Sequence, residues 1–219
     1  MYKKRHNSLA ILIPSFKEKK NFKNLLFKLN KNYKILVIDD SSNDGTSQFL
    51  KKNKIKFIRN NKNLGYEKSL IKGFLYTLKI KKIKYILTMD ADGQHNPVYI
   101  DKLMKYLSKN NSDIIIGSRI KKNRFIEIII SLIFKKKYGL IDPLSGFKLY
   151  KKEVFKKIGL QNNRNVFLVD LILESIKKGL KIKNYNIKTN LRKDKSRVGN
   201  FIKANTKMLK ILSYIFFYK

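Results

Sequence analysis

Short apolar runs alternate with segments of helical spacing through about the first 119 residues of the chain. The runs predict buried strands at residues 9–14, 33–38, 55–58, 85–89 and 113–117. Helices are predicted between them, one with Phe22, Leu25, Leu26 and Leu29 at helical spacing and others over residues 47–52, 66–78 and 97–108. Strands that alternate with helices in this way predict an α/β fold, with an open, mainly parallel sheet that has helices on both faces.

The alternation stops after residue 119. Residues 142–148 predict a turn-rich loop, because Pro, Ser and Gly follow one another closely there. A helix is predicted over residues 166–178 and a strand over residues 181–191. We therefore expect residues 1–200 to form a single domain.

Two segments combine apolar and basic residues. Residues 120–138 are basic at both ends around an apolar centre that Glu127 interrupts, which predicts either a helix in a membrane interface or a core helix under the sheet. Residues 201–219 predict a basic amphipathic helix, which either lies on a membrane surface or packs on its own domain. Neither segment reaches the roughly 18 apolar residues that a membrane span requires.

Composition limits the class of protein. The 219 residues include 51 Lys and Arg against 15 Asp and Glu, a formal net charge of +36. Such a surface attracts phosphates, whether of nucleic acid or of anionic lipid. The absence of cysteine excludes disulfides and thiolate sites. The polar start lacks the features of a signal peptide, so we expect a cytoplasmic protein, peripheral on the cytoplasmic face of a membrane.

An acidic pair follows the strand at 85–89. Residues i and i+2 of an extended chain point the same way, so Asp90 and Asp92 are able to converge on one ligand. Two hard oxygen ligands beside a glycine turn suit Mg²⁺ or Mn²⁺ that also holds a diphosphate. Taken alone, the pair also fits a solvated turn. Other polar residues, namely Glu18, Asp39, Asp40 and Arg119, lie at the ends of other predicted strands, and in open parallel sheets ligands bind at those ends.

Three other functions have less support. The first loop contains no G-x-G-x-x-G, which argues against a dinucleotide-binding fold. A nucleotidyltransferase would need a glycine-rich first loop, and residues 15–20 contain no glycine. A nucleic-acid-binding protein is favoured by the net charge alone, so we expect no specific nucleic acid partner.

The polar clusters together form an ordered set of motifs. They read IPSFKE at 13–18, VIDDSSNDGT at 37–46, NLG at 63–65, MDADGQH at 89–95, GSR at 117–119 and DPLSGFK at 142–148. The set resembles family-two inverting glycosyltransferases, in particular the dolichol-phosphate mannosyltransferase-like branch, over roughly residues 9–198. The resemblance implies a GT-A fold of the nucleotide-diphospho-sugar transferase type.

The resemblance also implies a role for each matching residue. It implies that the nucleotide sugar is bound by Pro14, Phe16, Glu18, Ile38, Asp40, Asp90, Ala91, Asp92, Arg119, Arg192 and Arg197. It implies that Mg²⁺ or Mn²⁺ is held by Asp92 and Gln94. Catalytic roles fall on Asp92, Arg119 and Asp170, and a clamp for the acceptor or a phosphate on Arg124, Ser145, Lys195 and Ser196.

The chain departs from the family pattern at two places. Phe16 stands where the family usually has Tyr, so one hydroxyl contact is missing. The cationic loop at 192–197 is one residue shorter than usual, and Arg197 replaces the usual Lys. Both departures concern groups that the resemblance places around the nucleotide sugar.

The implied reaction transfers a sugar from a GDP- or UDP-linked donor, with inversion at the anomeric carbon. The acceptor is either a polyprenyl phosphate at a membrane or a hydroxyl of a glycan or lipopolysaccharide. A hydroxyl needs a general base, and Asp170 is then the candidate; otherwise Asp170 is a residue on a helix face. A phosphate is already a nucleophile at neutral pH. The basic amphipathic segments favour the lipid phosphate.

Two aromatic residues near these motifs allow more than one interpretation. His95 is a metal ligand, a base, or a polar residue that caps the following helix. Phe147 lines the acceptor site or is a plain core aromatic.

Overall fold

The computed structural model describes residues 7–29, 33–120, 122, 124–160, 166–190 and 201–218. Its strands are β1 (Leu9–Ser15), β2 (Lys34–Asp39), β3 (Phe57–Arg59), β4 (Tyr85–Thr88), β5 (Ile114–Arg119), β6 (Lys148–Lys151) and β7 (Ile182–Ile187). Its helices are α1 (Lys19–Lys28), α2 (Thr46–Lys52), α3 (Tyr66–Leu78), α4 (Val98–Lys109), α5 (Phe125–Tyr138), α6 (Glu153–Ile158), α7 (Phe167–Lys177) and α8 (Phe201–Phe217).

The strands form one mixed sheet in the order β3-β2-β1-β4-β6-β5-β7. All neighbouring pairs are parallel except those of β6, which runs antiparallel between β4 and β5. The predicted open, mainly parallel sheet is therefore confirmed. Each strand predicted from an apolar run is present, with its ends shifted by a few residues.

Strand β6 and helix α6 are the elements that the hydrophobic pattern did not predict. The four residues of β6 begin and end with lysine, and Lys148 is nevertheless fully buried. A buried lysine breaks the apolar pattern on which the prediction of strands rests. The predicted loop at 142–148 is correct up to Phe147, and β6 begins directly after it.

Side chains that alternate along the strands build two hydrophobic cores, one on each face of the sheet. In β1, Leu9, Ile11 and Ile13 pack against helices α1 and α4, whereas Ala10 and Leu12 belong to the core under α3, α5 and α7. This period of two is what a strand buried on both faces requires. The layered arrangement leaves the ends of the strands free to carry polar groups.

Helix α3 lies close to the sheet because it carries Gly73. A Cβ atom at this position would lie 2.7 Å from Cδ1 of Ile38 and 3.4 Å from Cδ1 of Leu12. The side chains of Ile38 and Leu12 are fully buried, so neither has free space into which it could move away from an added methyl group. The glycine thus sets the distance between the helix and strands β1 and β2.

Helices α5 and α8 pack against each other and each buries one face. Ile130 and Phe134 of α5, like Ile211 and Ile215 of α8, lie in the core. The other faces are apolar but exposed, with Phe125, Ile128 and Leu132 on α5 and Leu209, Phe216 and Phe217 on α8. The tail helix therefore packs on the same domain while it exposes large hydrophobic residues. Within the described residues, none of the helices has the length and apolar character needed to span a bilayer.

Replacement of Gly73 by Ala should destabilise the protein. A helix gains about 1 kcal/mol from Gly→Ala, but overpacking a dense core costs about 1–3 kcal/mol. We expect the steric term to prevail and to lower the free energy of unfolding by about 1 kcal/mol, measured by urea denaturation. The same substitution in an Ile38→Val background should cost less, because Val lacks the Cδ1 atom that meets the new methyl group.

Lys68→Ala provides the matched control in the same helix. Lys68 is exposed, so its replacement should change the free energy of unfolding by less than about 0.5 kcal/mol. An equal effect of Gly73→Ala in both backgrounds would contradict the proposed contact with Ile38.

Candidate active site

The main pocket lies at the edge of the sheet where the parallel strands end. Residues that follow β1, β2 and β4, and the last residue of β5, line it. Because β6 is antiparallel, its amino end reaches the same edge and brings Gly146 to the wall. The pocket has a volume of about 560 Å³. Of the polar residues that the sequence predicts to meet at this edge, Glu18, Asp40, Asp90, Asp92 and Arg119 line the pocket, whereas Asp39 does not.

The described wall is acidic, although the chain is strongly basic. Its carboxylates come from Glu18, Asp40, Glu67, Asp90, Asp92 and Glu127. Its guanidinium groups come from Arg119 and Arg124. Six of the 15 acidic residues of the chain thus line one pocket. Another part of the wall is apolar and consists of Leu144, Leu168, Val169 and Ile211.

The first loop contributes Pro14, Phe16 and Glu18, as the resemblance implied. Glu18 is buried, and its Oε2 accepts a hydrogen bond of 2.6 Å from Nδ2 of Asn21 in the first turn of α1. The amide of Lys17 donates to Oγ of Ser42, at 2.8 Å, which ties this loop to the loop after β2. The loop is thereby fixed at the mouth of the pocket.

The two neighbouring aspartates after β2 have different surroundings. Asp39 is fully buried, accepts hydrogen bonds from the amide of Ser42 and the hydroxyl of Ser47, and does not line the pocket. Asp40 does line the pocket. Its Oδ1 accepts a hydrogen bond from the backbone amide of Leu64, and its Oδ2 accepts one from the backbone amide of Gly65, each at 2.8 Å. Asp40 therefore shapes the NLG loop as well as the pocket.

Ile38 does not lie on the pocket wall. Its side chain is fully buried and packs under Gly73. The resemblance implies that Ile38 and Asp40 both bind the nucleotide sugar, and of the two only Asp40 lines the pocket. Ile38 lies inside β2 and packs in the core, whereas Asp40 follows the last residue of the strand, at the edge of the sheet where the pocket lies.

Asp90 is held from several sides. Its Oδ1 accepts a hydrogen bond of 2.9 Å from the hydroxyl of Tyr66. Burial, together with the charge of Asp90, raises the pKa of Tyr66, so the phenol remains a donor. A Cβ atom on Gly146 would lie 2.4 Å from Oδ2 of Asp90, so the carboxylate occupies the space that a larger residue would need. Glycine at 146 is thus a condition for this position of Asp90.

Asp92 lines the pocket beside Ala91. Its Oδ1 accepts a hydrogen bond of 3.0 Å from the amide of Gln94. The side chain of Gln94, the second predicted metal ligand, is not part of the wall. Within the described residues, no group of three or more His, Asp or Glu side chains is arranged to hold a metal ion.

His95 neither lines the pocket nor caps the next helix. The imidazole is buried, and its Nδ1 accepts the backbone amide of Asp90 at 3.2 Å. Its ring stacks on Phe147, with the centroids 5.0 Å apart. Oδ1 of Asn96 accepts the amide of Val98 at 3.1 Å instead, at the start of α4. The stacked rings of His95 and Phe147 therefore support the turn after Asp90. Phe147 is fully buried and does not line the pocket, so it is a core aromatic rather than part of an acceptor site.

Arg119 is oriented by Asp142. Its Nε and Nη2 donate to the two carboxylate oxygens at 2.8 and 3.1 Å, and its backbone amide donates at 3.0 Å. Burial acts to lower the pKa of Arg119, but the carboxylates of Asp142, Glu127 and Asp90 outweigh it and raise the pKa. The guanidinium is therefore a permanent, pre-oriented cation on the pocket wall.

Glu127 is one of the wall residues for which the sequence predicted no role. It lies in the first turn of α5 and is only 7% exposed. Its Oε2 is 3.4 Å from Nη2 of Arg119, and its Oε1 is 3.9 Å from Nη1 of Arg124. The predicted clamp residue Arg124 thus lies on the wall, but it is paired with a carboxylate there.

Lys148 places a cation behind the wall. Its ammonium group is fully buried and donates to the carbonyl of Ser145. Burial lowers the pKa of Lys148 to about 8, although Asp142 and Asp90 act in the opposite direction. The hydroxyl of Ser145 donates to the carbonyl of Gly117, at 2.6 Å, so this predicted clamp residue holds β5 and the loop before β6 together. It does not line the pocket.

Asp170 does not reach the main pocket. The carboxylate is buried, accepts a hydrogen bond from the hydroxyl of Tyr214 on α8, and borders a separate small cavity with Glu174. Its neighbours Leu168 and Val169 line the main pocket instead. Of the two interpretations of Asp170, the geometry agrees with a residue on a helix face.

The predicted cationic loop lies outside the described residues. This applies to Arg192, Lys195, Ser196 and Arg197. Their assignments as phosphate and clamp residues remain predictions.

Comparison with known proteins identifies the family. Residues 10–159 match the model of Glycosyl transferase family 2. The chain is 37% identical over 194 residues to an uncharacterised protein of Methanocaldococcus jannaschii, covering 80% of this chain and 84% of that protein. It is 30% identical over 189 residues to the dolichol-phosphate mannosyltransferase of Pyrococcus furiosus. That match covers 76% of this chain and 52% of the mannosyltransferase, so the chain spans about half of its length.

Solved structures show the same fold. Glucosyl-3-phosphoglycerate synthase from Mycobacterium tuberculosis, in complex with Mn²⁺, UDP and phosphoglyceric acid, has a TM-score of 0.73 at 10% identity, covering 96% of this chain and 78% of that one. Mannosyl-3-phosphoglycerate synthase from Rubrobacter xylanophilus has a TM-score of 0.71 at 13% identity, covering 95% and 72%. At these identities the likeness concerns the fold alone, which is that of the GT-A glycosyltransferases. Because the family model spans more than half of the 219 residues, the chain belongs to Glycosyl transferase family 2 and is a glycosyltransferase.

Proposed function

We propose that this glycosyltransferase moves a sugar from a nucleoside diphosphate to a polyprenyl phosphate at the surface of a membrane, with the help of Mg²⁺ or Mn²⁺. The observation that carries the proposal is the composition of a single pocket. It combines carboxylates, two guanidinium groups and an apolar wall to which α8 contributes Ile211. A lipid phosphate needs guanidinium groups to bind its anionic head and an apolar surface to contact its hydrocarbon chain.

The donor side of the pocket supports a nucleotide sugar. Pro14, Phe16 and Asp40 line the pocket, and the family resemblance implies that these residues bind the nucleotide sugar. Structural neighbours were solved with UDP, and a relative is a dolichol-phosphate mannosyltransferase. Both UDP- and GDP-linked sugars therefore remain donors to be tested.

The charge of the wall supports a divalent cation. A diphosphate is an anion, and the described wall already holds six carboxylates against two guanidinium groups. Binding without an added cation would place like charges side by side. Mg²⁺ is commonly held by one or two carboxylates, with water and substrate phosphates as its other ligands, so Asp92 on a wall without a complete protein cage suits this type of site. When bound, the cation would stabilise the charge that develops on the leaving diphosphate.

Arg119 and Arg124 are the residues that we assign to phosphate groups. Arg119 is fixed by Asp142 before any ligand arrives, so little conformational entropy is lost when it binds an anion. In the proposed reaction, a phosphate oxygen of the acceptor attacks the anomeric carbon as the bond from that carbon to the diphosphate oxygen breaks. The lipid phosphate needs no proton removed, because its second pKa is about 6.

The position of Asp170 removes the base that the sequence offered for a hydroxyl acceptor. A hydroxyl must lose its proton to a base within about 3 Å. Asp170 was the predicted base, and its carboxylate is engaged with Tyr214, away from the main pocket. An acceptor that is already ionised does not need it.

The exposed faces of α5 and α8 support attachment to a membrane. Their large hydrophobic residues lie on the two helices that pack together beside the pocket. Lys135, Lys136 and Lys137 are exposed at the end of α5, and each basic residue near an anionic leaflet contributes about 1 kcal/mol. This arrangement would bring the pocket to the depth of lipid headgroups.

Replacement of Asp92 by Asn should abolish the gain in nucleotide binding that Mn²⁺ provides. The amide keeps the shape of the side chain but loses the charge that attracts the cation. We expect calorimetric titration with UDP or GDP to show at least about tenfold weaker binding in Mn²⁺, with turnover lost. Asp101→Asn is the matched control, because Asp101 lies on α4 and bonds to Tyr33 outside the pocket. Unchanged Mn²⁺ dependence in Asp92→Asn would refute the assignment.

Replacement of Asp170 by Asn should leave turnover within about threefold of wild type. The amide oxygen still accepts the hydroxyl of Tyr214, and a phosphate acceptor requires no base. Steady-state transfer to a short-chain polyprenyl phosphate is the measurement, with thermal unfolding as a check on folding. A loss of about 10² in kcat with an unchanged melting temperature would instead indicate general base catalysis and a hydroxyl acceptor.

The double substitution Phe216→Ser, Phe217→Ser should weaken binding to anionic vesicles. Co-sedimentation at about 0.5 M salt is the suitable measurement, since screening there reduces attraction due to net charge alone. We expect about a tenfold lower partition coefficient, because two exposed aromatic rings are removed from the bilayer surface. Phe27→Ser is the control: Phe27 is 92% exposed on α1, on the other face of the sheet. Equal losses in both variants would argue against a specific membrane face.

A further inference from the structure

The wall of the pocket contains an anion of its own between two arginines. Glu127 approaches Arg119 with one carboxylate oxygen, at 3.4 Å, and Arg124 with the other, at 3.9 Å. All three residues line the pocket, and the Glu127 side chain is 9% exposed. The carboxylate of Glu127 therefore lies between Arg119 and Arg124, where the two guanidinium groups would otherwise be able to bind an anionic ligand together.

This carboxylate is not needed to orient Arg119. Asp142 already holds that guanidinium through two side-chain hydrogen bonds and accepts the backbone amide as well. The contacts of Glu127 are long by comparison, because charge-assisted hydrogen bonds between N and O are typically about 2.7–2.9 Å. The bridge is therefore a weak contact that a better anion is able to replace.

We propose that Glu127 is a specificity-determining residue, an internal anion that a phosphate monoester must displace to bind between Arg119 and Arg124. The inference rests on the proposed function, because it concerns how the acceptor phosphate is admitted. A dianionic phosphate brings more charge and more acceptor oxygens than a carboxylate, so it competes successfully. A monoanionic carboxylate ligand offers only what Glu127 already provides, and the intramolecular group excludes it.

The displaced side chain has a favourable place to go. Glu127 lies in the first turn of α5, where the helix dipole stabilises negative charge. The carboxylate is thus not left without electrostatic support when the phosphate takes over the arginines. In the bound state it remains a nearby like charge, so its presence lowers the affinity for phosphate.

The test is a gain of affinity. Glu127→Gln keeps the size of the side chain and removes its charge, so inorganic phosphate should bind about tenfold more tightly than to wild type, measured by calorimetry without donor or metal. Glu174→Gln is the matched control, because Glu174 bonds to Tyr218 outside the main pocket while the change in net charge is the same. Its phosphate affinity should stay within about twofold of wild type. The gain should disappear in the double variant Glu127→Gln, Arg124→Gln.

Selectivity and folding complete the test. The ratio of phosphate to acetate affinity should fall in Glu127→Gln, since acetate no longer competes with an internal carboxylate. Glu127→Asp, which withdraws the carboxylate by one methylene group, should give a smaller gain and provides a second measurement if the first variant folds poorly. Melting temperatures of all variants identify losses that come from unfolding.

Two results would overturn the inference. Unchanged or weaker phosphate binding in a folded Glu127→Gln variant would make Glu127 a structural brace for the arginines. A collapse of kcat with unchanged phosphate affinity would make it a general base. Because phosphate is titrated alone, a wild-type protein that fails to bind nucleotide sugars, or fails to transfer to polyprenyl phosphate, would refute the proposed function and leave this measurement intact.

Discussion

The pocket depends on the insertion of β6 in antiparallel direction between β4 and β5. This reversal brings the loop before β6 to the edge where the parallel strands end. Gly146 then passes under Asp90 closely enough that no side chain fits, and Asp142 reaches Arg119. The positions of Asp90 and Arg119 on the wall thus both depend on β6, a strand of only four residues.

The sequence predicted the parallel part of this arrangement well. Buried strands that end in polar residues carry a strong pattern, and the ordered motifs identified the family that the comparisons then showed. Asp40, Asp90, Asp92 and Arg119 were predicted to meet, and they line one pocket. These residues lie close to the ends of strands, so their convergence follows from topology alone.

The remaining features depend on contacts between distant residues, which a hydrophobic pattern does not encode. Strand β6 was missed because Lys148 is buried with its charge close to Asp142 and Asp90. Asp170 carried the right chemistry for a base, yet helix α8 supplies Tyr214 as its partner. In the sequence, Glu127 stands out only as a break in an apolar run. A single charged residue in an apolar helix, four positions or fewer from an arginine, is the signal that would have drawn attention to it.

The charge of the whole surface and the charge of the pocket have opposite signs, and both bear on the proposed binding of phosphates. The whole surface is strongly basic, which raises the local concentration of anionic ligands and membranes but does not discriminate among them. The pocket reverses that sign, so an anion drawn to the protein still meets carboxylates at the site. Under the two proposals, entry would require either a cation that accompanies the diphosphate or an anion able to displace the carboxylate of Glu127. Selectivity would then follow because the long-range attraction is general, whereas the carboxylates of the pocket favour ligands that neutralise or replace their charge.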